Sequence, residues 1–354
     1  MMSGHGGNLH KLAHSAGLST EEILDFSANI NPLGPPEWLG RVIHEQIKAV
    51  AHYPDPDATA LVGALARRYA VSPEDVVVGN GSSDILYALP RAFSISRVVI
   101  PVPSYIDYAT SVRLAELSPE RFEMREGDGF GLNIDSLGSR LERGALVLLG
   151  QPNNPTGLLF DRTAFCRLAE RHSSVTFVVD EAFADFVEGY DTLIRDRPHN
   201  VVVLRSMTKF YAIPGLRLGF AVADPLFARR LRALLSPWSV NVFAQAVGVA
   251  ALDDEDYARR TRAFVACQRE RLASRLADIP GLWVYPGQAN YLLVRLESAG
   301  VDAPELGRRL LGEGIAIRVC ENFERLDKRF FRVAVRTEVE NGRLCRALTS
   351  ALSQ

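Results

Sequence analysis

The chain has 354 residues, 40 basic against 42 acidic side chains, and a formal net charge of −2; apolar residues make up 47% and charged residues 23%. That profile belongs to a folded globular protein and excludes disorder, collagen-like repeats and coiled coil. Charge so near balance argues against a nucleic-acid binder that works through a basic face. At roughly 150 residues per domain the length suggests about two domains. Cys166, Cys267, Cys320 and Cys345 are scattered without a CxxC pair, so neither a disulfide framework nor a metal site is expected, and a reducing compartment fits. No apolar run approaches the roughly 18 residues of a membrane span. Residues 1–17 lack the apolar stretch of a signal peptide. The expectation is a cytoplasmic protein that does not enter a membrane.

In chain order, residues 1–35, rich in Gly, Asn and Pro toward their end, predict no regular element. Short apolar, β-branched runs then recur at 76–78, 98–100, 145–149, 175–179, 201–204 and 218–222, separated by helix-like stretches. Such runs mark strands buried on both faces, so residues 36–245 are expected to form a mostly parallel sheet wrapped by helices, an α/β fold. After that the pattern changes. Residues 257–277 read as one long amphipathic helix, and 291–296, 315–319 and 331–335 as strands, with a helix over 303–311. Residues 246–354 are therefore expected to form a separate, smaller α+β unit.

Several motifs carry little chemistry. Residues 79–84, Gly-Asn-Gly-Ser-Ser-Asp, look like half of a dinucleotide fingerprint without its third glycine. They read better as a strand-to-helix turn whose free N–H groups can hold an anion. The acidic run 253–256 suits the start of the long helix, where the dipole favours it, rather than a metal. His44-Glu45 lacks the second histidine of a zinc-protease motif.

A stronger constellation spans residues 153–217. Asn153-Asn154-Pro155-Thr156-Gly157 follows one apolar strand, Asp180 closes the next, and Ser206-Met207-Thr208-Lys209 follows a third, with Arg217 eight residues on. The carboxyl ends of strands in an open α/β sheet are where ligands bind. An acid, a lysine and an arginine gathered there form a candidate site rather than a solvated surface.

These parts resemble the site of the fold-type-I pyridoxal-phosphate enzymes, the aspartate aminotransferase superfamily. The resemblance runs along nearly the whole chain. It implies a large cofactor-binding domain with a seven-stranded type of sheet, and a small C-terminal domain joined by residues 1–35. It assigns Lys209 as the amine that bonds the cofactor aldehyde and Asp180 as the carboxylate that keeps the pyridine nitrogen protonated. Asn154 would bond the phenolic oxygen, and Tyr105 would stack on the ring. Ser206, Thr208, Arg217 and the N–H groups near Ser82 and Ser83 would hold the phosphate. Tyr53 matches a tyrosine that reaches the phosphate from a neighbouring subunit, which implies a homodimer with shared sites.

Longer runs narrow the resemblance. His5-Gly6-Gly7-Asn8, residues 24–34, 208–217, 237–241 and 285–293 are similar to the threonine-phosphate decarboxylases of the cobalamin pathway. The expected reaction is decarboxylation of O-phospho-L-threonine to 1-aminopropan-2-yl phosphate. Phosphoserine remains an alternative substrate, because one methyl group supplies only about 1–3 kcal/mol of discrimination. The other alternative is a histidinol-phosphate-type aminotransferase. Those cousins lack the His-Gly-Gly-Asn opening and usually carry tyrosine where this chain has Phe183. A non-catalytic cofactor-binding module is disfavoured by the full set of Lys209, Asp180, Asn154 and Arg217. For the substrate the resemblance implies His5, Ile30, Asn154, Arg318, Arg332 and Arg336. Arg332 matches the arginine that grips the substrate carboxylate, and the four-residue spacing of Arg332 and Arg336 predicts that they share one strand face. Arginine's fork suits carboxylate and phosphate equally, so the sequence leaves open which cation takes which group.

Overall fold

The computed structural model describes residues 6–297 and 300–353. Its strands, in chain order, are β1 (Leu24–Asp25), β2 (Val76–Asn80), β3 (Arg97–Val102), β4 (Pro119–Glu123), β5 (Ala145–Gly150), β6 (Thr176–Asp180) and β7 (Val201–Ser206). There follow β8 (Leu218–Val222), β9 (Leu282–Val284), β10 (Tyr291–Leu296), β11 (Ile315–Ala316), β12 (Arg318–Val319) and β13 (Phe330–Ala334).

Seven of them form one sheet in the order β2-β8-β7-β6-β5-β3-β4. The pairs from β7 through β4 are parallel, and β8 runs antiparallel to both its neighbours. The strands β5, β7 and β8 are buried along their whole length. Alternate residues explain why they read as unbroken apolar runs. Val147 and Leu149 face one core with Leu61, Leu65, Phe165 and Val247, while Leu146 and Leu148 face the other with Ile85, Leu89, Val112 and Leu231. Helices cover both faces, so neither side of the sheet needs polar residues.

The strand β4 was not expected from the sequence. Pro119-Glu120-Arg121-Phe122-Glu123 is an edge strand with mostly exposed residues, and proline and charge are what an edge tolerates.

A second sheet, β12-β13-β10-β9, is antiparallel throughout. It packs with the helices Glu255–Ala277, Ala303–Gly312 and Glu338–Leu352 around Leu272, Leu292, Leu306, Phe331 and Leu348. Residues 315–319, expected as one strand, divide at Ile317 into β11 and β12, which belong to different sheets.

Residues 1–35 do contain regular elements, contrary to the sequence reading. The helix Leu9–Ala16 is capped by the Asn8 side chain and stopped by Gly17 at φ 68°. Then β1 pairs in parallel with β11, and Phe26 is fully buried in the C-terminal core. Among the described residues no helix is long and apolar enough to cross a membrane.

Candidate active site

Because β5, β6 and β7 are parallel and in register, Gly150, Asp180 and Leu204 lie side by side. The chain leaving each strand therefore opens onto the same edge of the sheet. After β5 comes the turn carrying Asn154, β6 ends in Asp180, and β7 passes through Ser206 into a four-residue helix, Met207–Phe210, that carries Thr208 and Lys209. The helix Ser82–Ala92 begins at the same edge after β2. Ser82, Ser83, Tyr105, Tyr108, Asn154, Asp180, Phe183 and Lys209 line one open pocket.

Lys209 Nζ donates to Ser206 Oγ at 2.9 Å, and that hydroxyl lies 2.8 Å from Thr208 Oγ1. Burial pulls the amine down to about 8; the Asp180 carboxylate opposes this and Arg217 adds to it. An amine so tuned is substantially neutral, hence nucleophilic, in mildly alkaline solution. Asp180 accepts from the Tyr108 hydroxyl at 3.0 Å and from the Ala182 N–H at 3.0 Å. Burial raises its pKa despite Lys209, Tyr108 and Ala182, each of which favours the carboxylate. The site therefore holds a carboxylate that would gain from a further cationic donor in the pocket.

Two glycines shape the anion end. A Cβ on Gly81, which has φ +81°, would lie 2.6 Å from Arg217 Nη2, and one on Gly219 would lie 2.2 Å from the Ser82 nitrogen. Their absence lets the start of the helix Ser82–Ala92 approach both Arg217 and β8. No side chain caps that helix, and the Asp84 N–H is taken by the Gly81 carbonyl, so the N–H groups of Ser82 and Ser83 are the ones available to an anion. Arg217 makes no ion pair among the described residues. Arg217, Ser206 and Thr208, all close to Lys209, are the residues that could hold a doubly charged group. Anion cradle, buried carboxylate and lysine together fit the phosphate, ring nitrogen and aldehyde of pyridoxal phosphate.

On the substrate side, Arg332 and Arg318 are direct cross-strand partners on β13 and β12. They are only 5% and 8% exposed, so neither is a solvated surface charge. Arg332 donates to Asn154 Oδ1 and to the Ser27 carbonyl at 2.9 Å, and lies 5.2 Å from the Tyr291 ring centre. Burial lowers its pKa. Arg318 donates to the Val319 carbonyl at 2.7 Å and to Asn322 Oδ1 at 2.8 Å. Burial, reinforced by Arg332 and opposed by Cys320, brings it down to about 10.

Other expected residues fall elsewhere. Arg336 lies beyond the end of β13, so the shared strand face with Arg332 does not exist. Its guanidinium pairs with Glu340 at 2.6 Å and donates to the Asp25 carbonyl at 3.2 Å. The reason is local: Thr337 and Glu340 form the capping box of the helix Glu338–Leu352, and Arg336 is drawn onto its acid. Tyr53 is 80% exposed, its ring 4.9 Å from that of Trp238, and does not line this pocket. Ile30 is half-buried beside Asn31, whose N–H bonds the Lys209 carbonyl. His5 lies outside the described residues. Phe183 packs edge-on to Tyr291 and sits 5.7 Å from Lys209 Nζ. Sequence reasoning missed Tyr108, although its position one helical turn after Tyr105 was a usable signal.

This fold and site define a pyridoxal-phosphate enzyme of fold type I. The chain belongs to the aminotransferase class I and II family, whose description matches residues 21–348, and that family's cofactor is pyridoxal 5′-phosphate. Within it, the chain is 39% identical over 357 residues to a threonine-phosphate decarboxylase of Salmonella typhimurium, covering 99% of this chain and 97% of that protein. It is 35% identical over 350 residues to the adenosylcobalamin biosynthesis bifunctional protein CobDQ of Leptospira interrogans; the match takes in 98% of this chain but only 41% of that protein's length. Among solved structures it superposes on an L-threonine-O-3-phosphate decarboxylase from Porphyromonas gingivalis with TM-score 0.84 at 29% identity. A histidinol-phosphate aminotransferase from Clostridium acetobutylicum gives TM-score 0.87, also at 29% identity. Each match covers 93% of this chain and 99% of the other.

Proposed function

We propose that this protein decarboxylates O-phospho-L-threonine to 1-aminopropan-2-yl phosphate, a precursor in cobalamin biosynthesis. The observation that carries this reading is the 39% identity along 99% of the chain to a threonine-phosphate decarboxylase. The two solved structures above fit about equally well, so fold alone does not choose between decarboxylation and transamination. The arrangement of Arg318 and Arg332 supports the choice, because the substrate has two anionic ends and the site offers two adjacent buried cations.

When bound, pyridoxal phosphate supplies an electron sink for the carbanion left when a bond to Cα breaks. The chain's own residues do the rest. Asp180 would hold positive charge at the ring nitrogen, Asn154 would donate to the phenolic oxygen, and Ser206, Thr208, Arg217 and the first turn after Gly81 would hold the phosphate. Tyr105 covers the ring. Arg318 and Arg332, with His5, bind the anionic ends of the substrate and so decide which Cα bond is presented for cleavage. Binding energy remote from Cα is thereby used for orientation. Lys209 Nζ, in its ammonium form, would then supply the proton that takes the place of the departed carboxylate at Cα. The active form is a cytoplasmic homodimer in which Tyr53, exposed in the single chain, reaches the partner's phosphate cradle. The domain division at about residues 35 and 245 belongs to the same reading.

Incubation with O-phospho-L-threonine, O-phospho-L-serine and histidinol phosphate in parallel tests this. The first should be consumed fastest, and without an oxo acid. Consumption of histidinol phosphate alone would overturn it.

A further inference from the structure

The amine at 209 stands on a helix of only four residues, Met207–Phe210. A single turn is not held by its own hydrogen bonds, and the carbonyls at its end must be met from outside. One residue meets two of them. The Asn31 N–H donates to the Lys209 carbonyl at 3.0 Å, and Asn31 Nδ2 donates to the Phe210 carbonyl at 2.8 Å. The same nitrogen lies 2.8 Å from Tyr257 Oη and 3.0 Å from Thr261 Oγ1, both on the helix Glu255–Ala277. Asn31 Oδ1 accepts from the Leu33 N–H at 3.0 Å, which fixes the orientation of the amide. The residue is 3% exposed. Four positions earlier, the Ser27 carbonyl accepts from Arg332, and between them the Asn29 carbonyl accepts from Asn290 Nδ2 at 2.9 Å. Residues 27–31 thus run from the arginine to the lysine's turn, bonded at both ends.

We infer that Asn31 is a positioning residue for Lys209. It touches neither substrate nor the amine, and acts by fixing the carbonyl end of the turn on which the amine stands. The Tyr257 hydroxyl also donates to the Phe210 carbonyl at 3.1 Å, so loss of the Nδ2 bond leaves that carbonyl one donor in place of two and unties the turn from residues 27–31, which frees it to shift. A displacement of about 1 Å at a reacting group costs on the order of 100-fold in rate. The inference rests on the reading of Lys209 as the cofactor lysine and is independent of which substrate is used.

The test compares holoenzymes of the wild type, Asn31→Ala and Leu344→Ala, the last a fully buried residue of the C-terminal core. Visible absorption of the bound cofactor is titrated against pH, and kcat and KM are measured separately. In Asn31→Ala the midpoint should move by at least about 0.3 pH unit, a twofold change in protonation equilibrium. Its kcat should fall about 10- to 100-fold with KM within about twofold. Leu344→Ala should lose thermal stability and leave the midpoint in place. If Asn31→Ala does not fold, Asn31→Asp, which keeps the acceptor for Leu33 but places oxygen against the Phe210 carbonyl, is read in the same way. An Asn31 variant with unchanged midpoint and kcat, or an equal shift in Leu344→Ala, overturns the inference. A wild type with no cofactor absorption would instead refute the cofactor reading on which it depends.

Discussion

The Tyr108 hydroxyl donates to the Asp180 carboxylate at 3.0 Å, reaching it from the helix Ile106–Leu114. Gly150 eases the approach, since a Cβ there would crowd the same hydroxyl at 3.2 Å. Tyr108 also packs edge-on against Tyr105, with ring centres 5.6 Å apart. One side chain therefore steadies both Asp180 and Tyr105.

Tyr108→Phe should weaken cofactor binding. A hydrogen bond to a charged group contributes about 1.5–3 kcal/mol, and losing it also favours the neutral form of Asp180. The cofactor dissociation constant is expected to rise about 10- to 100-fold, measured by spectrophotometric titration of cofactor-free enzyme. An unchanged constant would mean that Tyr108 only packs.

Cofactor uptake should depend on pH through Lys209. The neutral amine reacts, and burial brings its pKa down to about 8. The uptake rate should therefore rise as pH passes through about 8 and level off above it. Asp180 is the group that holds this value up, so Asp180→Asn should move the midpoint to lower pH. Stopped-flow absorbance on both proteins reads the shift; a midpoint near that of free lysine would contradict it.

The site was legible where the sequence wrote it at the ends of strong apolar strands. Asp180 and Ser206 close runs whose burial on both faces leaves little choice of fold, and Lys209 follows within one turn. Asn31 was not legible because its bonds to the lysine's turn are tertiary contacts, whereas Tyr108 was signalled only by its spacing from Tyr105. The two-residue strand β1 is too short for any periodicity to show, and β4 hides behind the polar residues of an edge. Arg336 misled because spacing alone extends β13 by two residues, whereas the capping box at Thr337 ends it.

Behind the pocket, Arg205 Nη1 pairs with Glu181 at 2.8 Å, and the two side chains are 4% and 0% exposed. Tyr190, Thr192 and the Leu193 N–H also donate to that carboxylate. Arg205→Met would strand the acid in the core, at a cost of about 3–5 kcal/mol. Tm should fall by roughly 4–7 °C, and Arg205→Met with Glu181→Gln should fall less. Scanning calorimetry compares them; equal losses would mean that the charge left behind is not the cause.

Arg332→Gln should lower kcat/KM for phosphothreonine by about 100-fold, since truncating a buried hydrogen-bonded charge costs about 2–5 kcal/mol. Bound cofactor should be retained. The ratio of CO₂ released to amino group transferred should also fall. Decarboxylation continuing at the wild-type rate and ratio would remove Arg332 from the steering role.

The most direct measurement supplies O-phospho-L-threonine labelled with ¹³C at the carboxylate, with no oxo acid present, to wild type and to Lys209→Ala. The expected result is catalytic release of labelled CO₂ with an equal amount of 1-aminopropan-2-yl phosphate from the wild type, and neither from the variant. Retention of the label in an oxo acid that forms only when 2-oxoglutarate is added would contradict the account and make this chain an aminotransferase.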